Sequence, residues 1–134
     1  MSGRERFAAQ PVARMARLAS DGTPRVVPVS FAVLDDRVVT AVDHKPKTTT
    51  DLARLRDIRR DPAVSLLADH YEDDWTRLWW VRADGRAAIA EDTGDREEAL
   101  DALAAKYAQY REHRPVGPVI VVEVTRWSEW SATP

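Results

Sequence analysis

The chain has 134 residues and no cysteine, so it has the length of one domain and lacks thiol nucleophiles, disulfides and thiolate metal ligands. Its formal net charge of −2 gives no bulk attraction to nucleic acid or to an anionic membrane. The first residues lead into no long apolar run, so the sequence predicts neither a signal peptide nor a membrane span. We therefore expect a cytoplasmic protein whose residues 1–134 form a single domain.

The first part of the chain is predicted to form a short helix and a β-hairpin. Residues 2–19 fit either a helix or a strand, and Pro11 separates an opening helix from the next element. Clusters of β-branched and aromatic residues then predict two strands joined by a tight turn. These strands are residues 25–34 and 37–42. Pro28 marks an edge or an irregular point in the first of them.

The rest of the chain is predicted to contain two helices and three strands. An apolar stripe of Leu52, Leu55 and Ile58 indicates the first helix, which Asp61-Pro62 ends. In chain order, the elements are a helix over 51–60, a strand over 63–68, a strand over 75–90 bent at Asp84-Gly85, a helix over 95–111 and a strand over 119–127. Because hairpins join most of the strands, we predict an α+β fold, a mostly antiparallel barrel with helices packed at its ends.

Two lysines before the first of these helices suggest a binding site for an anion. Only three of the 20 basic residues are lysines, and two of them, Lys45 and Lys47, lie within one tripeptide. In an extended stretch both would point to the same side, and Thr48 and Thr49 would add hydroxyl donors. A helix N-terminus also attracts anions through its free N–H groups. The alternative is an ordinary solvated loop that caps the helix.

Three segments around these lysines resemble a known family in their order and spacing. A strand with an internal Pro-Val comes first, the basic turn is next, and a helix then ends in Asp-Pro before a Val-Ser-Leu strand. The segments are Asp21–Phe31, Val42–Lys47 and Leu52–Leu66. They are similar to the split β-barrel flavin- and deazaflavin-binding family, which includes pyridoxamine-phosphate-oxidase-like proteins. Leu78–Gly85 and Val124–Trp127 resemble the subgroup of enzymes that depend on the deazaflavin coenzyme F-420.

This resemblance implies a homodimer with cofactor sites at the subunit interface. The residues it assigns to the cofactor are Lys45, Lys47, Thr48 and Thr49 at the phosphate, the backbone of Val27, Pro28, Val29 and Ser30 along the ring, and Trp79, Trp80 and Arg82 from the partner. It also implies an oxidoreductase that transfers a hydride from reduced F-420 to a small organic acceptor. The alternatives are an FMN-binding oxidoreductase of the same fold and a non-catalytic protein that binds the coenzyme or a tetrapyrrole.

Other kinds of site receive little support from the sequence. Asp43-His44 and Asp69-His70 match no compact metal-ligand motif, so we expect no metal site. No Gly-x-Ser-x-Gly segment is present, which argues against a serine hydrolase. No catalytic residue is assigned, although His70 and Tyr71 are candidate proton donors. Trp79 and Trp80 should alternate across a strand, one toward the core and the other toward a cleft or partner.

Overall fold

The computed structural model describes residues 1–42, 49–91 and 94–134, apart from the side chains of residues 49–52. Within these ranges, seven strands form one antiparallel sheet with four helices and a 3-10 turn around it. The strands are β1 (Ala13–Leu18), β2 (Pro24–Val29), β3 (Ala32–Leu34), β4 (Arg37–Ala41), β5 (Ala63–His70), β6 (Trp79–Ala90) and β7 (Val119–Ser131). The helices are α1 (Gly3–Ala8), α2 (Thr49–Arg60), α3 (Gly94–Lys106) and α4 (Ala108–Glu112), and the 3-10 turn is Trp75–Arg77. The predicted α+β class is confirmed, and residues 2–19 contain helix α1 followed by strand β1.

The sheet curls into a split barrel because its two edge strands are consecutive in the chain. The order β2-β1-β5-β6-β7-β4-β3 puts β2 and β3 at opposite edges, yet only Ser30 and Phe31 separate them. Three residue steps span at most about 11 Å, so the two edges must approach each other at this point. The prediction of one continuous strand over 25–34 is therefore wrong, because the chain crosses there from one edge to the other.

Tyr107 stabilises this crossing. Its hydroxyl accepts a hydrogen bond from the Phe31 N–H at 3.0 Å and donates one to the Pro11 carbonyl at 2.8 Å. Beside it, the Thr40 hydroxyl donates to the Ser30 carbonyl at 2.7 Å. The backbone of Tyr107 is extended, with φ −117° and ψ 123°, so the helix predicted over 95–111 is divided into α3 and α4.

The barrel interior is filled by alternate residues of neighbouring strands. The pairing register sets one row of inward-facing side chains across five strands. This row consists of Val27, Met15, Leu66, Ala83 and Trp127. Helix α1 covers the barrel end with Phe7, whose ring centroid lies 4.8 Å from that of Phe31 and 5.3 Å from that of Trp127. No helix in the described part of the chain is long and apolar enough to span a membrane.

The two longer helices cover different parts of the barrel. Helix α2 packs against β1 and β6 and buries Leu55 and Ile58 in the core. Helix α3 covers the outer side of β3, β4 and β7 with Ala99, Leu100 and Leu103. This arrangement leaves the outer side of β2, β1 and β5 uncovered by helices among the described residues.

Strand β5 is longer than the sequence predicts and β6 is shorter. Strand β5 continues to His70, which pairs with Trp79 at the start of β6. The predicted start of β6 at Trp75 is wrong because residues 75–77 form a 3-10 turn that Asp74 caps. At the predicted bend, Asp84-Gly85, the register with β7 shifts by one residue, because Asp84 pairs with Arg126 and Gly85 with Val124, so the extra residue is Thr125 of β7. Strand β7 extends to Ser131 because this long β6 gives it a partner along its full length.

Candidate functional site

The uncovered outer side of β2, β1 and β5, together with the adjoining parts of β6 and β7, carries several of the predicted cofactor residues. We call this surface the outer face. The pairing register defines one transverse row of side chains across it. The row consists of Pro28, Arg14, Leu67, Arg82 and Ser128. Pro28 and Arg82, which are distant in sequence, therefore share one surface.

The pleat of β6 separates its two tryptophans, as the sequence predicts. Trp80 lies on the outer face beside Arg82, whose guanidinium carbon is 5.8 Å from the centroid of the Trp80 ring. Trp79 faces the other way and packs against the hydrophobic core. The Arg6 guanidinium of helix α1 lies 5.2 Å from the centroid of the Trp79 ring. The structure thus brings Trp80 and Arg82 together but places Trp79 on the opposite side of the strand.

A cavity of about 280 Å³ opens on the outer face around Trp80. We call it the outer cavity, and its lining residues are Leu67, Asp69, Tyr71, Trp80 and Arg82. Leu67 and Asp69 belong to it because β5 pairs them with Arg82 and Trp80. The sequence analysis did not select Leu67. Only the register of the β5–β6 hairpin, with the His70–Trp79 pair at its end, would have pointed to it.

Two arginines of the outer face are already paired with carboxylates of the same face. Arg14 and Asp69 are 3.7 Å apart, and the Arg82 Nε lies 3.2 Å from the Asp84 carboxylate. The Ser65 hydroxyl also donates to Asp84 at 2.6 Å. The outer cavity therefore combines aromatic surface with balanced charge, which suits a planar and largely uncharged ring system.

The predicted ring-contacting strand is an edge of the sheet. Among the described residues, β2 pairs with β1 alone, so half of its backbone N–H and C=O groups point away from the sheet. The Val29 side chain is buried and Val27 packs against the core, whereas Pro28 is exposed on the outer face. This strand can therefore offer a ligand its backbone groups and the Pro28 ring, and the backbone contact that the resemblance implies stays a prediction.

A second cavity, of about 420 Å³, lies at the end of the barrel beside helix α1. We call it the end cavity, and its lining residues are Arg6, Gln10, His70, Arg77 and Trp79. The two candidate proton donors are therefore separated, since Tyr71 lines the outer cavity and His70 lines the end cavity. His70 is hydrogen-bonded to Glu72, and this bond holds the pKa of the Glu72 carboxyl below its usual range.

The predicted phosphate-binding lysines fall outside the described residues. Lys45, Lys47 and Thr48 lie there, as does the Asp43-His44 pair, and the side chain of Thr49 at the start of α2 is likewise not described. The assignment of the phosphate to this segment therefore remains a prediction. Across the described ranges, no group of three His, Asp or Glu residues is arranged to hold a metal ion.

The fold is shared with several solved structures at low sequence identity. A conserved hypothetical protein of Mycobacterium tuberculosis superimposes with a TM-score of 0.77 at 19% identity, covering 98% of this chain and 86% of that one. A protein of Mesorhizobium loti described as FAD-binding gives a TM-score of 0.70 at 21% identity, over 95% of this chain and 90% of that one. HutZ, the heme storage protein of Vibrio cholerae, gives 0.72 at 13% identity, over 96% and 90%.

Comparison at the sequence level identifies the family. No curated protein matches the chain. The family profile described as pyridoxamine 5'-phosphate oxidase matches residues 3–131, nearly the whole sequence. The match includes the Pro28 strand, the basic turn and the Asp61-Pro62 helix end on which the predicted resemblance rests. The chain therefore belongs to the pyridoxamine 5'-phosphate oxidase family.

Proposed function

We propose that this protein is an oxidoreductase that binds the deazaflavin coenzyme F-420 and transfers a hydride to a small organic acceptor. The observation that carries the proposal is the composition of the outer face. It combines an open backbone edge at β2 with an aromatic cavity at Trp80 and Arg82. An edge strand offers the hydrogen-bonding groups that a pyrimidine-like ring edge requires, and the indole offers a surface for ring stacking.

We propose that the site is completed by a second copy of the chain. Pro28 and Arg82 lie in one row but three strands apart, which corresponds to about 14 Å across the sheet. A ring that lies against β2 is therefore too far from Trp80 and Arg82 of the same subunit for close contact with both. A two-fold dimer through the outer face would bring these two residues of one protomer over β2 of the other.

The protein's own residues would bind and orient the reactants. We propose that Lys45 and Lys47, with Thr48 and Thr49, hold the coenzyme phosphate through charge-assisted hydrogen bonds. The backbone from Val27 to Ser30 would align the ring. When bound in its reduced form, the coenzyme supplies the hydride. Tyr71, whose phenol lines the outer cavity, would donate the proton that the reduced acceptor needs.

Two alternatives have support from the structural relatives. A flavin such as FMN or FAD is favoured by the relative from Mesorhizobium loti that is described as FAD-binding. Binding of a tetrapyrrole without turnover is favoured by HutZ, the heme storage protein of Vibrio cholerae. Both relatives are below 25% identity to this chain and share its fold. The bound molecule therefore has to be identified by experiment.

Fluorescence titration of the purified protein tests the proposal. We expect saturable binding of F-420, with weaker binding of FMN, FAD and hemin, and oxidation of reduced F-420 by at least one acceptor. A yellow flavin or a Soret band in the protein as purified would contradict the F-420 assignment. Binding of F-420 without any turnover would instead indicate a carrier.

A matched pair of variants tests the phosphate assignment. Replacing Lys45 and Lys47 together by alanine removes two charge-assisted contacts, which should weaken F-420 binding roughly hundredfold. Replacing Arg86, an exposed arginine of β6, by alanine should leave the affinity unchanged. Equal affinities of the double variant and the unmodified protein would refute the role of the two lysines.

A further inference from the structure

The end cavity is separate from the proposed coenzyme site. The outer cavity involves Trp80 and Tyr71, whereas the end cavity involves their chain neighbours Trp79 and His70. Trp79 and His70 face each other in the β5–β6 register. Arg6 of helix α1 and Gln10, which follows the helix, also line the cavity. The same strands therefore form two cavities of different composition.

Arg6 is held in position at the wall of the end cavity. It is partly buried, and its guanidinium carbon lies 5.2 Å from the centroid of the Trp79 ring, so the indole orients the side chain. The Gln10 side-chain amide donates to the Arg6 carbonyl at 3.3 Å, which ties the two lining residues together. No carboxylate of the described residues forms an ion pair with Arg6. Its guanidinium hydrogens are thus available to an anionic ligand.

The end cavity is also lined by a second arginine, whose charge is only partly balanced. The Arg77 Nε donates to Glu72 at 3.1 Å, and the same carboxylate bonds His70. This contact uses one of the five guanidinium N–H groups, so the two terminal nitrogens of Arg77 can still donate. Arg6, Arg77 and Glu72 together sum to one positive charge. Arg6 and Arg77 therefore flank a cavity that suits a single negative charge.

We propose that the end cavity is a second ligand site, which binds a small organic monoanion by its carboxylate. Arg6 and Arg77 both line the cavity and each donates charge-assisted hydrogen bonds to the carboxylate. Trp79 and the stem of Gln10 contact the organic part of the ligand. This site does not depend on the coenzyme assignment, because it shares no lining residue with the outer cavity.

Binding of benzoate to the complete protein tests the proposal. The indole N–H signals of Trp79 and Trp80 are assigned in a ¹H–¹⁵N spectrum with single Trp-to-Phe variants, and benzoate is then titrated. We expect a saturable shift of the Trp79 signal, with benzyl alcohol producing no comparable shift because it lacks the charge. A shift confined to Trp80, or equal binding of benzyl alcohol, would overturn the proposal.

Three variants give the matched comparison for benzoate affinity. Arg6→Gln and Arg77→Gln each remove one guanidinium and should weaken binding at least tenfold. Arg86→Gln makes the same charge change at an exposed position of β6 and should change the affinity less than twofold. Arg6→Lys keeps the charge but loses the planar fork, so it should recover only part of the loss. An unchanged affinity in Arg6→Gln, with a native-like spectrum, would refute the site.

Discussion

Asp57 joins helix α2 to the barrel through a buried ion pair. Its carboxylate accepts a hydrogen bond from the Arg17 Nε at 2.9 Å and from Arg60 at 3.2 Å. The bond from Arg17 is the main reason that the pKa of Asp57 lies below its usual range. Arg60 in turn donates to the Leu18 carbonyl at 2.6 Å. The buried part of the polar contact between helix and sheet therefore depends on one carboxylate.

Asp57→Asn should lower the free energy of unfolding by about 3 kcal/mol at pH 7, because Arg17 would remain buried without its counter-charge. The pKa of Asp57 is lower in the folded protein than in the unfolded chain, where it is about 3.9. The stabilisation is therefore complete above about pH 4 and is lost as the pH falls through the folded-state value. Urea unfolding at pH 7 and pH 3.5 measures the difference between the variant and the unmodified protein.

The exposed carboxylate of Asp73 provides the control for this measurement. Asp73→Asn should change the unfolding free energy by less than about 0.5 kcal/mol at either pH. If Asp57→Asn lowers the free energy of unfolding no more than Asp73→Asn does, the role assigned to the buried pair is contradicted. A loss that increases as the pH falls would contradict it as well.

The proton-donating role proposed for Tyr71 can be separated from coenzyme binding by a single substitution. Tyr71→Phe removes one hydroxyl and retains the ring that lines the outer cavity. If Tyr71 donates the proton, kcat for the acceptor should fall about a hundredfold while F-420 affinity changes little. Steady-state kinetics together with the fluorescence titration separates the two effects. An unchanged kcat would assign the proton to solvent.

At the scale of elements, the shifted pairing of β6 with β7 depends on the absence of a side chain at Gly85. A Cβ at this position would lie 2.2 Å from the Glu123 carbonyl oxygen and 3.0 Å from a Val122 methyl group. The carbonyl belongs to the backbone of β7 and cannot move without disturbing the β6–β7 pairing. Gly85 is thus needed for close approach of two strands.

Gly85→Ala should consequently destabilise the fold by about 3 kcal/mol, the upper part of the usual range for a single substitution. Urea unfolding followed by tryptophan fluorescence measures this loss. Gly94→Ala is the matched control, because a Cβ at Gly94 would meet no atom of the described residues within 4 Å. Equal stabilities of the two variants would show that β7 can adjust to a side chain at Gly85.

The elements that the sequence predicts correctly are those whose signals are local. The Asp84-Gly85 pair marks the register shift, and Asp61-Pro62 marks the end of α2. The break between β2 and β3 has no such signal, because neither a glycine nor a turn pair interrupts residues 29–32 and Phe31 continues the aromatic and β-branched pattern. The crossing there depends on the hydroxyl of Tyr107, which is 76 residues away from Phe31 in the chain.

In the candidate site, too, some residues have a local sequence signal and others are placed only by contacts between distant segments. Trp80 and Arg82 are distinctive residue types on one strand, so the sequence alone selects them. Leu67 is an ordinary apolar residue, and only its pairing with Arg82 places it in the outer cavity. Sequence pattern identifies residues that carry unusual chemistry, whereas the residues that complete the cavity are set by strand register.

At the scale of the whole molecule, the outer face exposes several large apolar side chains beside its charged groups. Five large apolar side chains of this face are at least one-third exposed. They are Leu18 at 38%, Val26 at 67%, Leu67 at 36%, Tyr71 at 67% and Trp130 at 44%. Contiguous exposed apolar surface of this kind marks interaction sites in soluble proteins. The proposed dimer would bury it and place the outer cavities at the subunit interface.

Val26→Glu tests this dimer without altering a residue that lines either cavity. Two-fold symmetry would place two new carboxylates in one buried interface, so the dimer dissociation constant should rise at least a hundredfold. Sedimentation velocity over a range of protein concentrations measures that constant. Val116→Glu is the control, because Val116 is 87% exposed in the segment before β7 and should leave association unchanged. If the site needs both subunits, F-420 affinity should fall with the dimer population in Val26→Glu, whereas a monomeric variant with full affinity would show that one chain suffices.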